Sequence, residues 1–202
     1  MMEEDKVRRI LAGLLIFIVC VAPIRALAGP ALDTVKTNAN VVLDVLGDPK
    51  LKGESGKKVK EQKVEAAADK LFDYVELSKR TLGLNWNKLS MEQRKEFVDL
   101  FKTLLRNTYI DKITAYTNQK VNFTKEVNLS ENTMEVQSVV VSSRAQTPIN
   151  YRVIKKDDGW KVYDVVIEGV SLVSNYRTQF REILANNPPQ ALIDTLRKRT
   201  GK

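Results

Sequence analysis

Hydrophobic positions recur with two different periods along this chain. In the first half, apolar side chains return every three or four residues over residues 30–46 and 64–75, a spacing typical of amphipathic helices. In the second half they alternate with polar residues, which predicts strands at residues 121–127, 134–141 and 149–155. A helical period returns at residues 174–184 and again after Pro188-Pro189. Helices followed by strands and then by helices predict an α+β domain with one antiparallel sheet of about four strands.

The clearest helix begins at Ser90, where a glutamine three residues later forms the pattern of a capping box. Charged residues occupy one side of this helix, so we expect the other side to pack on something apolar. Upstream, residues 47–60 have the composition of a polar turn, and Gly83 is expected to end the second helical segment. The apolar stripe of the long helix consists of Phe97, Leu100, Phe101, Leu104, Leu105, Tyr109, Ile110, Ile113 and Tyr116.

The strand that starts at Trp160 carries apolar or aromatic groups on both of its predicted faces. Asp158-Gly159 is a strong hairpin signal before it, and Gly169 marks a turn after it. Strict alternation puts Trp160, Val162 and Val166 on one face and Tyr163, Val165 and Ile167 on the other. A strand with one solvated face alternates apolar and polar residues more cleanly. Either protein covers both faces, or one of them lines a cavity.

The first 28 residues have the organisation of a cleaved secretory signal peptide. A basic start precedes the apolar run 10–22, and Ala26-Leu27-Ala28 supplies the small residues that a signal peptidase reads. An uncleaved anchor is the alternative, whereas a lipoprotein anchor at Cys20 is disfavoured because Val19 precedes it. We therefore expect residues 29–202 to form a single domain in an exported protein.

Composition excludes most catalytic chemistry. The chain has no histidine, and Cys20, its single cysteine, lies in the predicted signal peptide, so the usual metal ligands and nucleophile systems are missing. Asp164 and Glu168 would lie roughly 13 Å apart on a strand, too far for a carboxylate pair. We expect no catalytic residue, no metal and no cofactor. The net charge of +8 fits a solvated surface, an anionic membrane or an acidic protein partner.

The residues alone leave three interpretations open. An apolar ligand could bind between the sheet and the long helix, although side chains could equally fill that space as an ordinary core. A small envelope isomerase that uses Tyr151 or Tyr163 for proton transfer is also compatible with the pattern. A periplasmic adaptor that binds a partner protein is the third interpretation.

The C-terminal third of the chain resembles the MlaC-type periplasmic phospholipid-binding proteins, also called the toluene-tolerance substrate-binding family. The resemblance extends upstream through Leu82-Gly83, Trp86 and residues 97–105, so it covers nearly all of residues 29–202. The matching string is long and specific, with Gly159-Trp160-Lys161-Val162-Tyr163-Asp164-Val165-Val166-Ile167-Glu168-Gly169-Val170-Ser171-Leu172-Val173 followed by Asn175-Tyr176-Arg177 and Gln179-Phe180.

The resemblance implies a periplasmic carrier that is not an enzyme. Such a protein shuttles glycerophospholipid between an outer-membrane lipoprotein/porin complex and an inner-membrane ABC transporter. It has a curved antiparallel sheet backed by helices, with an apolar cavity between the layers that holds acyl chains and leaves the headgroup outside.

Residues expected to contact acyl chains come from three parts of the chain. Asp164, Glu168, Asn175, Tyr176 and Arg177 also match family positions, and we expect them to brace the turn from strand to helix. A place for Arg177 beside a lipid phosphate is the alternative. The predicted acyl contacts are Phe101, Leu105 and Tyr109 from the long helix, Val139, Val141, Tyr151, Val153, Val162 and Val166 from the sheet, and Val170 and Leu172 from the turn.

Overall fold

The structure is a computed structural model that describes residues 29–51, 53–115, 119–143 and 145–202. The predicted signal peptide, residues 1–28, lies outside the described residues, and so does Tyr116 of the predicted apolar stripe. No helix within the described ranges is both long and apolar enough to cross a membrane.

Six α-helices and a five-stranded sheet make up the described part of the chain, which confirms the predicted α+β class. The helices are α1 (Pro30–Gly47), α2 (Glu54–Leu71), α3 (Tyr74–Leu82), α4 (Met91–Thr114), α5 (Leu172–Ala185) and α6 (Pro189–Thr200), with short 3-10 turns at Pro49–Leu51 and Gly83–Lys88. The strands are β1 (Lys120–Ser130), β2 (Thr133–Val141), β3 (Gln146–Lys156), β4 (Gly159–Ile167) and the two-residue β5 (Val170–Ser171).

The sheet is an antiparallel meander in which each strand pairs with the next along the chain. The expected hairpin turn joins β3 and β4, with Lys156 opposite Gly159. Between β4 and β5 the turn is Glu168-Gly169, and both residues have positive φ, 49° and 83°. Irregular pairing in β1 and β4 marks β-bulges, which bend the strands that contain them.

The predicted polar turn at residues 47–60 is wrong over its second half, since α2 begins at Glu54. The helix runs more than two turns before its first large buried side chain, Val64, so its start shows no apolar period in the sequence. The second helical segment also divides in two. Phe72 forms a bridge to Val162, and Asp73 caps α3 by accepting a hydrogen bond of 2.8 Å from the Glu76 N–H.

Helix starts otherwise follow the local sequence. The capping box at Ser90 is confirmed: its hydroxyl accepts from the Gln93 N–H at 3.2 Å, and its own N–H donates to the Gln93 side chain at 3.0 Å. The last-but-one helix, α5, starts two residues before the predicted Ser174, because Ser171 caps it by accepting from the Ser174 N–H at 3.0 Å.

Strict alternation along β4 is wrong, because the strand contains one extra residue. Arg152 of β3 pairs with Asp164, but its neighbour Val153 pairs with Val162. Tyr163 is therefore the bulged residue, and the bulge returns Val165 to the face that carries Val162. Asp164 and Val166 take the opposite face. Beyond Val162, side chains predicted for one face of β4 therefore lie on the other.

Buried side chains form three clusters. The interlayer cluster lies between α1 and the sheet, the helical cluster joins α3 to α6, and the rim cluster lies where α1, α2 and α4 meet. The interlayer cluster contains Ala31, Leu32, Val35, Leu71, Val136, Val153, Val162 and Val165. The helical cluster contains Leu77, Leu82, Trp86, Leu89, Phe97, Leu100, Phe101, Leu104, Val173, Tyr176, Phe180, Leu192, Ile193 and Leu196, and the rim cluster contains Leu46, Val64 and Ile110.

Asp164 fastens the junction between the sheet and α5. Its carboxylate accepts hydrogen bonds from the Ser171 hydroxyl at 2.6 Å and the Val173 N–H at 3.0 Å, and Arg152 pairs with it at 3.2 Å. The residue is only 1% exposed. Asp164 therefore braces the turn from strand to helix, as expected from its position in the matching string.

Asp164→Asn should lower the free energy of unfolding by about 2–3 kcal/mol, because Arg152 and the two hydrogen-bond donors lose a buried charged acceptor. Urea unfolding followed by circular dichroism measures this loss. The matched control is Asp158→Asn, which removes an exposed carboxylate paired with Lys161 and should leave the midpoint unchanged. Equal midpoints for the two variants would contradict the role given to Asp164.

Candidate functional site

The inner face of the sheet, defined here as the face that packs on α1, is apolar from β1 to β4. Helix α1 contacts β1, β2 and β4, and its residues Ala31, Leu32 and Val35 enter the interlayer cluster. On the sheet, Val136 and Val153 are fully buried beneath it. This contact between two layers is the apolar interface that the sequence led us to expect, with α1 rather than the long helix covering the sheet.

One edge of the interlayer cluster is only half-buried. Phe123 of β1 lies beside Tyr151 of β3, with ring centroids 6.4 Å apart. Ile149 and Ile167 pair with each other across β3 and β4, and Leu172 follows at the start of α5. All five side chains pack against the cluster and keep part of their surface exposed. They form an apolar edge that a hydrocarbon chain could extend.

Tyr151 brings one polar atom into this apolar layer. Burial raises the pKa of its phenol to about 12, and a hydrogen bond with the Ser138 side chain opposes part of that shift. Ser138 is buried and donates its own hydroxyl to the Ile149 carbonyl at 2.6 Å. The phenol is thus buried in the apolar layer and hydrogen-bonded to the Ser138 side chain.

The helical cluster is a conventional aromatic core. Phe101 contacts Phe97, Tyr176 and Phe180, with ring centroids 5.1–5.5 Å apart. Phe97, Phe101 and Phe180 are at most 1% exposed. Edge-to-face aromatic packing of this kind is dense and geometrically specific. We therefore infer that this cluster stabilises the fold and is not the ligand site.

The start of α5 connects the helical and interlayer clusters. Leu172 packs on the interlayer cluster, whereas its neighbour Val173 lies in the helical cluster. One turn later Tyr176 shares a hydrogen bond with Tyr109 of α4, and burial, together with this tyrosine, raises the pKa of Tyr109. The long helix therefore reaches the sheet through α5.

The structure distributes the predicted acyl contacts over four places. Tyr151, Val153, Val162 and Leu172 lie together at the interlayer cluster. Val139, Val141 and Val166 lie on the opposite face of the sheet. Phe101 and Leu105 pack in the helical cluster, with Tyr109 half-buried beside it, and Val170 is 58% exposed at a turn.

Sequence reasoning missed the residues of α1 altogether. Their apolar spacing was evident, but no local signal tells which helix covers a sheet. It also missed the partners of Tyr151 on neighbouring strands. Val136 follows only once the register of β2 against β3 is known, and the bulge at Tyr163 makes alternation fail at Val165 and Ile167. The missed residues of the inner face are Ala31, Leu32, Val35, Phe123, Val136, Ile149, Val165 and Ile167.

Arg177 is exposed, and its guanidinium contacts the end of α3. It donates two hydrogen bonds to the Arg80 carbonyl, at 3.0 and 2.7 Å, and so ties α5 to the end of α3. Arg80 in turn stacks on the Tyr163 ring, 3.9 Å from its centroid. These contacts favour the bracing role over the phosphate role for Arg177.

The surface hollows between α2 and α4 have polar walls. Lys57 and Lys60 of α2 face Asp111 and Thr114 of α4 across one of them, and Arg106 borders the next. Ion pairs such as Lys57–Asp111 at 3.5 Å cross these hollows. Their charged lining is unsuited to acyl chains, whereas the inner face of the sheet is apolar and is the candidate site.

The fold and the site define a class of protein in which helices cover one apolar face of a bulged antiparallel meander. The structure is similar to that of a phospholipid-binding protein from Ralstonia solanacearum solved in complex with a phospholipid. The TM-score is 0.77 and the identity 29%, over 86% of this chain and 98% of that one.

Comparison of sequences gives the family. Residues 36–198 match the family model described as MlaC protein, and the chain belongs to the MlaC family. It is also 29% identical over 136 residues to the intermembrane phospholipid transport system binding protein MlaC of Haemophilus influenzae. That match covers 63% of this chain and 64% of the relative, which is less than two thirds of the relative's length. The resemblance identified in the sequence is confirmed.

Tyr151→Phe should weaken the dependence of the free energy of unfolding on pH in the alkaline range. With a folded pKa of about 12 and an unfolded pKa of about 10, the tyrosine stabilises the fold fully below pH 10 and loses this contribution as the pH rises toward 12. Urea midpoints measured from pH 8 to 11.5 should fall less steeply for Tyr151→Phe than for the wild type. Parallel curves would contradict the buried position of the phenol.

Proposed function

We propose that this protein is a carrier that holds the acyl chains of a glycerophospholipid against the inner face of its sheet. The observation that carries this proposal is the structural likeness to a protein solved with a phospholipid, combined with the half-buried apolar edge of the interlayer cluster in this chain. The headgroup would remain outside, so no set of headgroup ligands is required.

The energetics of acyl chains explain why such a carrier is needed. Burying one methylene gains about 0.8 kcal/mol, so two chains with about 15 buried methylenes each gain on the order of 24 kcal/mol gross. A lipid free in water is therefore strongly disfavoured. Net transfer depends on small differences between donor, carrier and acceptor, because each must hold the tails almost equally well. Hand-off should occur by direct docking, which keeps the chains out of water.

Within this proposal the chain is exported after loss of residues 1–28 and works in the periplasm. The Haemophilus influenzae relative belongs to an intermembrane phospholipid transport system, which supports an envelope location. We propose an inner-membrane ABC transporter and an outer-membrane lipoprotein/porin complex as its docking partners, as the family resemblance implies. The chain would take part as a carrier and not as an enzyme.

The acyl chains are proposed to contact the sheet side of the interlayer cluster. Of the residues expected from sequence, Tyr151, Val153, Val162 and Leu172 belong to this surface, and Phe123, Ile149 and Ile167 extend it. The half-buried members at the edge are the ones that a hydrocarbon chain could reach first. Helix α1 is proposed to be the cover that adjusts to the chains.

Native mass spectrometry of the purified protein tests lipid binding itself. The expected result is a mass that exceeds that of residues 29–202 by one phospholipid, which denaturing extraction then identifies. A ligand-free mass after purification under conditions that preserve other lipid complexes would overturn the proposal, and an adaptor with a filled core would then be the better account.

Ile149→Trp should reduce lipid occupancy at least about fivefold, because the larger ring would fill the apolar edge of the interlayer cluster. Val139→Trp is the matched control, since it places the same ring at a half-buried position on the opposite face of the same sheet. Occupancy is measured by native mass spectrometry and the fold by thermal unfolding. Equal occupancy in the two variants, with both folded, would place the acyl chains elsewhere.

A further inference from the structure

The first turn of α1 is held by a carboxylate from the sheet. The Leu32 N–H donates a hydrogen bond of 2.8 Å to Oε2 of Glu126, a half-buried residue of β1. The N-cap position is Gly29, which has no side chain to accept such bonds itself. A Cβ atom at Gly29 would overlap the Glu126 carboxylate. The carboxylate therefore lies directly against the Gly29 backbone.

This contact limits the distance between the carboxylate and the Gly29 nitrogen. The nitrogen and the Cβ position are both bonded to the same Cα, and Glu126 Oε1 lies about one bond length from that Cβ position. The separation of the Gly29 nitrogen from Oε1 is therefore no more than about 4 Å. That distance is within reach of an ion pair.

We propose that Glu126 is the binding site for the α-ammonium group that signal cleavage creates on Gly29. The inference rests on the proposed export of the protein with cleavage after Ala28. A signal peptidase hydrolyses the Ala28–Gly29 peptide bond with one water, which leaves a carboxylate on Ala28 and an ammonium on Gly29. The new ammonium forms an ion pair with Glu126, while Leu32 keeps its hydrogen bond to the other oxygen.

The pair exists only in the processed chain. Before cleavage the Gly29 nitrogen is a neutral amide, and the Glu126 carboxylate accepts the hydrogen bond from the Leu32 N–H. After cleavage the α-amino group, with an ordinary pKa of about 7.7–8.0, is charged at neutral pH. A positive charge at a helix N-terminus is unfavourable, so an adjacent carboxylate is needed to hold it there. Asp33 in the same turn adds negative charge, and the exposed Lys125 precedes Glu126 on β1.

The ion pair would fix the cover of the candidate site. Ala31, Leu32 and Val35 follow Gly29 directly and are buried in the interlayer cluster. The ion pair at Gly29 therefore holds one end of α1 against β1 and β2, while the C-terminal end of α1 packs in the separate rim cluster. Processing would tighten the contact between α1 and the sheet after export.

A double-mutant cycle on four proteins tests the ion pair between Gly29 and Glu126. Residues 29–202 are compared with the same chain extended by Leu27-Ala28, each in the wild-type background and in the Glu126→Gln background, which retains an oxygen for the Leu32 N–H. The extension should raise the unfolding equilibrium constant about 3- to 5-fold in the wild-type background and leave it unchanged in the Glu126→Gln background. Glu131→Gln, which changes an exposed acidic residue of the β1–β2 turn, is the control and should behave as the wild type. An equal effect of the extension in both backgrounds would overturn the proposal.

Titration of the Gly29 α-amino group distinguishes the ion pair from a purely structural role of Glu126, because only the ion pair would raise the pKa of that group. The pKa of the Gly29 α-amino group, measured from the pH dependence of its reaction with an acylating reagent, should lie higher in the wild type than in Glu126→Gln. Identical values would overturn the ion pair. The mass of the protein isolated from the envelope tests processing separately, because a start other than Gly29 would refute the cleavage site without altering either result on the prepared chains.

Discussion

One extra residue in β4 determines how the sheet is used. The bulge at Tyr163 puts Val162 and Val165 on the face that meets α1, and it turns Asp164 to the other face. There Asp164 binds Ser171 and Val173 at the start of α5 and pairs with Arg152. The same local irregularity thus completes an apolar inner face and joins the sheet to the helices. Without the bulge, Val165 would leave the inner face and Asp164 would leave the junction with α5.

The two larger clusters differ in how completely their side chains are packed. The helical cluster is a dense aromatic core centred on Phe101, and it packs α3 to α6 against one another. The interlayer cluster is built mainly from valines of the sheet and the first turns of α1, with a half-buried edge at Phe123 and Ile149. The proposed carrier function requires such an arrangement, because one layer would have to adjust to lipid tails while the rest of the domain keeps its shape.

The sequence predicted the elements better than the site. Strand alternation, the Asp158-Gly159 turn and the Ser90 capping box depend on neighbouring residues, and they led to the right class of fold. The inner face could not be assigned, since a bulge changes the parity of β4 without any local mark at Tyr163. The role of α1 as the cover depends on contacts between distant parts of the chain, such as that between Leu32 and Glu126, which are 94 positions apart. Phe101 was chosen from a helical stripe that serves the aromatic core equally well.

The central claim is that acyl chains lie between α1 and the inner face of the sheet. Photo-crosslinking with a phospholipid that carries a diazirine near the end of one acyl chain tests it most directly, with the modified residues located by mass spectrometry. If the acyl chains lie there, crosslinks form to Val35 and its neighbours on α1 and to Ile149 and Tyr151 on β3. Crosslinks confined to Val139 and Val141 on the opposite face, or to Phe101 and Phe180 in the helical cluster, would contradict it.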